Sequence, residues 1–191
     1  MSRIPLASLE QQPEPIRQWA ARWGNLNVFR LIGNAPKVFG GWTEMVDELF
    51  DSPTFSARMR EVIIVRVAHL QESPYELGQH LALARTVGLT EQEIDALVGT
   101  GDLDAAGFSG TERAAVDVVT ELCGTHRLGD DSFAAARAVF GDEALTELLM
   151  IVSCYYGLAL VLNAADLDVD VAARFQPEQE KPDDSNPLPS A

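Results

Sequence analysis

Apolar positions recur at helical spacing along nearly the whole interior of the chain, and no stretch shows sustained period-two alternation bounded by turn residues. A first helix is predicted through "IRQWAARWG", opening at Pro15 and ending at Gly24. A second follows Pro36, where Phe39, Trp42, Val46 and Leu49 form one stripe. The third, "SARMREVIIVRVAHLQE" from Ser56, is apolar on nearly every side in its second half, which assigns it to the interior or to a subunit contact. Capping boxes predict further starts at Ser73–Glu76, Thr90–Glu93 and Ser109–Glu112, with Gly88 and Gly129 as stops. Helices over about 131–140 and 142–165 complete an all-α, single-domain bundle of seven or eight helices.

The two ends read differently. Residues 176–191, "QPEQEKPDDSNPLPSA", are proline-rich and acidic with almost no apolar surface to bury, so a disordered tail is expected there, after a helical domain over 1–175. The first fifteen residues carry Pro5, Pro13 and Pro15 and are expected to lie extended across a neighbouring surface. Hydrophobic residues make up 47 % of the chain, enough for a sizeable core. The net charge of −15 repels phosphate backbones and anionic lipid, so neither nucleic acid nor a membrane is expected as a partner. The longest apolar run, "LLMIVSCYYGLALVL" at 148–162, falls short of the ~20 residues that span a bilayer. No basic segment followed by an apolar one opens the chain, and Cys123 and Cys154 show no paired spacing. Both are read as free thiols, and a cytoplasmic location is expected.

Candidate chemistry gathers at 72–80, "ESPYELGQH". Two readings compete. In the first, Ser73 caps a helix, Pro74 is N1 and Glu76 closes the box, a purely structural motif worth roughly 1 kcal/mol. In the second, Glu76 and His80 share one helix face, and a carboxylate one turn from an imidazole prepares a general base. Glu72 sits at the same corner. The preceding helix adds Glu61, Arg66 and His69 among valines and isoleucines, where a charge must be paired or face a cavity. A buried or intersubunit salt bridge is the preferred reading of Arg66, while His69 is either a satisfied core histidine or a site residue. With no HxxxH or HExxH spacing, a metal site on His69 and His80 is not expected. Trp19, Trp23 and Trp42 are read as core or interface anchors.

Glu61, then Ser73, Glu76 and His80, at these spacings resembles the carboxymuconolactone decarboxylase / alkylhydroperoxidase D superfamily. "SRIPL", "GNLNVFR" with "NAP" at 24–36, and "LARTVGLTEQEIDAL" at 83–97 look similar to its decarboxylase-like branch, so the resemblance spans roughly residues 2 to 165. In the redox branch a CxxC occupies the positions of Ser73 and Glu76. Neither a hydroxyl nor a carboxylate can replace the thiolate that attacks peroxide or the thiol that resolves it, so thiol peroxidase chemistry is not expected. Many relatives of the decarboxylase-like branch have Cys at the position of Ser73 and Trp at that of Leu77, so the pocket here differs in shape and polarity.

The resemblance implies a cofactor-independent acid/base enzyme acting on a small oxygenated cyclic acid or lactone, most simply by decarboxylation with proton transfer. His80 would move the proton, Glu76 would orient it, and Glu61 would be a second acid/base or hydrogen-bond partner. Ser73, Tyr75, His69 and Glu72 would surround the substrate, with Ser73 and the first-turn amides holding an anionic oxygen. No cofactor or metal is implied. The alternative is a catalytically silent binding or assembly protein of the same fold. Family members form trimers and hexamers, and the apolar helices at 61–70 and 145–165 point the same way, so self-association is expected.

Overall fold

The structure is a computed structural model and describes residues 2–170. The tail expected at 176–191 lies outside the described residues. Eight α-helices follow one short 3₁₀ turn at Leu9–Gln11: α1 (Glu14–Arg22), α2 (Asn27–Ile32), α3 (Pro36–Asp51), α4 (Ala57–Leu70), α5 (Pro74–Thr86), α6 (Glu91–Leu97), α7 (Gly110–Thr125) and α8 (Asp130–Ala165). No strand forms among the described residues. The all-α bundle read from the apolar spacing is therefore the fold.

α4 is the axle. It packs on α5, α7 and α8, and Val62, Ile63, Ile64, Val65, Val67 and Ala68 are wholly buried. β-Branched residues are mediocre helix formers, so burial rather than propensity holds this segment helical. Ser56 starts it by accepting the Met59 amide at 3.2 Å. The apolar girth of α4 is used inside its own chain, so it supplies no argument for a subunit contact. Arg66, too, differs from the salt bridge expected of it. It donates to Thr120 Oγ1 at 3.0 Å and to the Leu97 carbonyl at 2.9 Å, and it forms no ion pair among the described residues.

The helix predicted over 142–165 and the one before it run on as α8, bent at Gly141, whose φ of 71° and ψ of −179° only glycine adopts without strain. By length and apolarity alone α8 could cross a membrane. Here its Leu145, Leu148, Ile151, Val152, Ala159 and Leu162 are core residues, as in the central helix of a globular bundle. The stop expected at Gly129 is made earlier, by His126 in the left-handed conformation (φ 63°), and Gly129 is instead the N-cap of α8. The N-terminal segment does lie across a surface, but that of its own chain. The Arg3 amide bonds the Ala165 carbonyl at 2.7 Å, and the Ala7 amide bonds the Arg30 carbonyl at 3.0 Å.

Two of the three expected capping boxes close, at Thr90–Glu93 and Ser109–Glu112. Arg58 ties both together through Glu93 and Glu112. The third does not close: Ser73 is the N-cap residue of α5, yet its side chain caps no amide.

Candidate active site

The unclosed box is where the site begins. Ahead of it, Glu72 adopts the left-handed region (φ 48°), and the Ser73 amide bonds back to the Ala68 carbonyl at 2.9 Å. This tight corner folds α5 against α4. It brings His80 of α5 over Glu61 of α4, with Nδ1 and Oε2 2.9 Å apart. Glu61 and His80 are 3 % and 9 % exposed, so their pairing is largely dry.

Glu76, one turn before His80 and only 2 % exposed, has both carboxylate oxygens buried without a hydrogen-bond partner. The Ser73 hydroxyl is fully buried and similarly unpartnered. It is near enough to favour the ionised Glu76, though not with hydrogen-bonding geometry. Burial dominates and lifts the Glu76 carboxyl to about 7, against smaller opposing pulls from His80 and Ser73. For His80, burial disfavours the imidazolium, but the charge and hydrogen bond of Glu61 and the charge of Glu76 together outweigh it and raise its pKa. The site thus holds two groups that can carry a proton near neutrality.

Glu76 and His80 line a cavity of about 80 Å³, with Glu61 and Ser73 behind its wall; it has room for several waters or one small ring, since a water needs roughly 10–15 Å³ on this measure. Trp19, Trp23, Phe29, Trp42, Phe50 and Tyr155 supply aromatic wall, and Glu76, Gln79 and His80 the polar patch. Tyr155 meets His80 edge-on, centroids 5.2 Å apart with planes at 89°. Its phenol is pushed well above the usual range by burial and by the nearby Glu61, Cys154 and Glu76, which keeps it protonated.

Tyr75 lines the cavity and anchors its rim. Its hydroxyl accepts the Val28 amide at 3.1 Å and donates to Asp170. Asp170 also accepts the Asn27 amide at 3.0 Å and Gln79 Nε2 at 3.3 Å. The segment after α8 therefore straps across α5, and Val169 Cγ1 lies 3.0 Å from where a β-carbon on Gly78 would stand.

Of the residues singled out in the sequence, the fold brings together Glu61, Ser73, Tyr75, Glu76 and His80. The expected pairing of Glu76 with His80 is replaced by Glu61 with His80, because the packing of α5 on α4 sets the reach of each side chain and a shared helix face does not. His69 and Glu72 do not line the cavity. The His69 ring abuts Gly99, with Nε2 3.0 Å from a β-carbon placed there, and burial lowers its pKa. Among the described residues no group of three or more His, Cys, Asp or Glu is arranged to hold a metal ion. Sequence reasoning missed Tyr155, Gln79 and Asp170, and it assigned the tryptophans to packing alone, whereas they both pack and line the cavity.

An all-α bundle with a buried carboxylate–imidazole pair at an aromatic cavity describes the class. Comparison adds a likeness over part of the chain: the sequence profile of the carboxymuconolactone decarboxylase family matches residues 36–121, from α3 into α7. The fold is that of alkylhydroperoxidase D-like proteins, to which the whole described chain is similar. An alkylhydroperoxidase D core protein from Ralstonia eutropha JMP134, described as an uncharacterized peroxidase-related protein, superposes with a TM-score of 0.77 at 21 % identity, over 88 % of this chain and 92 % of that one. A second uncharacterized peroxidase-related protein, from Silicibacter sp. TM1040, gives 0.74 at 19 % identity over 92 % and 95 %. The debrominase Bmp8, in a Cys-to-Ala form complexed with 2,3,4-tribromopyrrole, gives 0.76 at 15 % identity over 91 % and 96 %. No curated protein matches the sequence significantly.

Proposed function

We propose that the protein is a cofactor-independent acid/base enzyme of the decarboxylase-like branch, acting on a small oxygenated ring compound at the cavity between α1, α3, α5 and α8. The observation that carries this reading is the buried His80–Glu61 pair at 2.9 Å with Glu76 unpartnered one turn away. His80 delivers a proton to carbon, or removes one, and Glu61 fixes its tautomer and stabilises the imidazolium, a contribution of ~10²–10⁴-fold. Glu76, titrating at about 7, is the second proton carrier.

Three reactions use these groups. In decarboxylation the C–CO₂ bond breaks, its electron pair passes into a dienolate, and His80 reprotonates carbon. Double-bond migration needs only the proton transfers, while in lactone opening water adds to the acyl carbon as the ring C–O bond breaks, His80 taking the water's proton and passing it to the leaving ring oxygen. Thiol peroxidase chemistry gains no support: no cysteine lines the cavity, and burial lifts the Cys154 thiol to about 11.

The test is a panel of small lactones and cyclic enones, with 4-carboxymuconolactone as its acidic member, incubated in D₂O and followed by mass spectrometry. Deuterium uptake, ring opening or CO₂ loss by wild type, at least ~100-fold slower in His80→Gln, is expected. Turnover that survives the substitution removes His80 from the reaction. A panel left untouched by wild type counts against the enzyme reading and favours a binding protein of this fold.

A further inference from the structure

We infer that this cavity takes an uncharged ring compound bearing an O–H or N–H donor and discriminates against the same ring carrying a carboxylate. The inference deepens the acid/base reading of the site and rests on it for the choice of ring compounds as ligands.

Charge accounting carries the argument. Among the described residues, no Lys or Arg lines the cavity. Arg60 is not a lining residue: its Nη1 donates to the Phe55 carbonyl at 2.6 Å, its guanidinium lies 5.3 Å over the Phe50 ring, and its Nε is buried without a hydrogen bond. Among the described lining residues, the one cation that can face a ligand is the His80 imidazolium, and Glu61 already neutralises it. Glu76 adds a second carboxylate to the same wall. A carboxylate entering here would find no unmatched positive partner among the described residues of the cavity wall and a like charge beside it, and burying an unpaired charge is strongly unfavourable.

The same wall asks for a donor. Both oxygens of Glu76 are buried and unserved, an arrangement folded proteins rarely tolerate without use. A ring O–H or N–H directed at Glu76 supplies the missing hydrogen bond, while the Trp and Phe walls take the ring faces. Of the reactions above, those on uncharged rings, lactone opening and double-bond migration, match this cavity better than loss of CO₂ from an anion.

The test is calorimetric titration of the full chain at pH 8 with phenol and with 4-hydroxybenzoate, in wild type and Glu76→Gln. Wild type is expected to bind phenol at least about tenfold more tightly than 4-hydroxybenzoate. In Glu76→Gln, where the second negative charge is gone, that ratio should fall at least about threefold. Equal or tighter binding of 4-hydroxybenzoate by wild type overturns the inference, and so does a protein that binds neither. A ratio unmoved by Glu76→Gln overturns the part assigned to Glu76. Binding selectivity is read without turnover. Selectivity in a protein that transforms no panel member would leave this inference standing and remove the enzyme reading, and turnover without selectivity would do the reverse.

Discussion

Glu61 and His80 stand 19 positions apart on different helices and meet at 2.9 Å in the interior. The carboxylate holds the imidazole in one orientation and favours its charged form against the pull of burial. Glu61→Gln should therefore lower the His80 pKa, read from ring-proton NMR shifts. The sign of the linked stability follows. A histidine whose folded pKa is raised stabilises the fold fully below its ordinary value near 6.5, and that contribution fades as pH climbs through the raised value. Glu61→Gln should lose most stability at pH 5–6 and progressively less above. An unchanged His80 titration would sink the pairing.

Glu76 behaves in the opposite sense. Its folded pKa of about 7 lies above the ordinary 4.5, so the fold binds this proton more tightly than the unfolded chain does. Stability falls as pH rises from 4.5 to 7, by on the order of 3 kcal/mol. Glu76→Gln removes the penalty while keeping the shape. It should be near neutral in stability at pH 5 and clearly more stable than wild type at pH 8, as melting temperatures will show. The same difference at both pH values would mean that Glu76 is not titrating in the interior.

Glu72 sits at φ 48° in the corner between α4 and α5. A side chain there is strained and glycine is not. Glu72→Gly should stabilise by about 0.5–1 kcal/mol after the entropy lost to a freer unfolded chain is counted, a rise of roughly 1–3 °C in melting temperature. A fall would mean that the carboxylate is holding the corner.

Gly78 is crossed by Val169, 3.0 Å from the position of an added β-carbon. In wild type, Gly78→Ala should destabilise by about 1 kcal/mol through that clash. In a Val169→Ala background the clash is gone, and the better helix former should stabilise by roughly 0.5–1 kcal/mol. The reversal of sign in this double-mutant cycle tests whether the strap lies where the structure puts it.

Much of this was legible in the sequence, for local reasons. Thr90 with Glu93 and Ser109 with Glu112 announce their helices because an N-cap is decided within four residues. Ser73 with Glu76 carries the same signature and does not close, because α5 is packed on α4 and its first turn faces a cavity. The signature that reads as structure is the one the site has diverted. His80 and Glu76 could be proposed from one helix turn, but which of Glu61, Glu72 and Glu76 meets His80 stayed open, since it depends on how two helices cross. Asp170 was invisible for a similar reason: only the return of the chain after α8 sets it beside Tyr75 and Gln79.

That return has a consequence for how the protein is made. Tyr155, Leu158 and Leu162 of α8 wall the cavity, and Asp170 fastens its rim. The ninety residues from His80 to Asp170 take a ribosome roughly 5–18 s to add. During that interval Trp19, Phe29 and Tyr75 lack the wall that Tyr155, Leu158 and Leu162 supply, and Glu76 and His80 lack the same cover. A nascent chain paused before residue 155 therefore lacks the wall that makes the site dry, and the cavity is complete only once residues 155–170 have joined it.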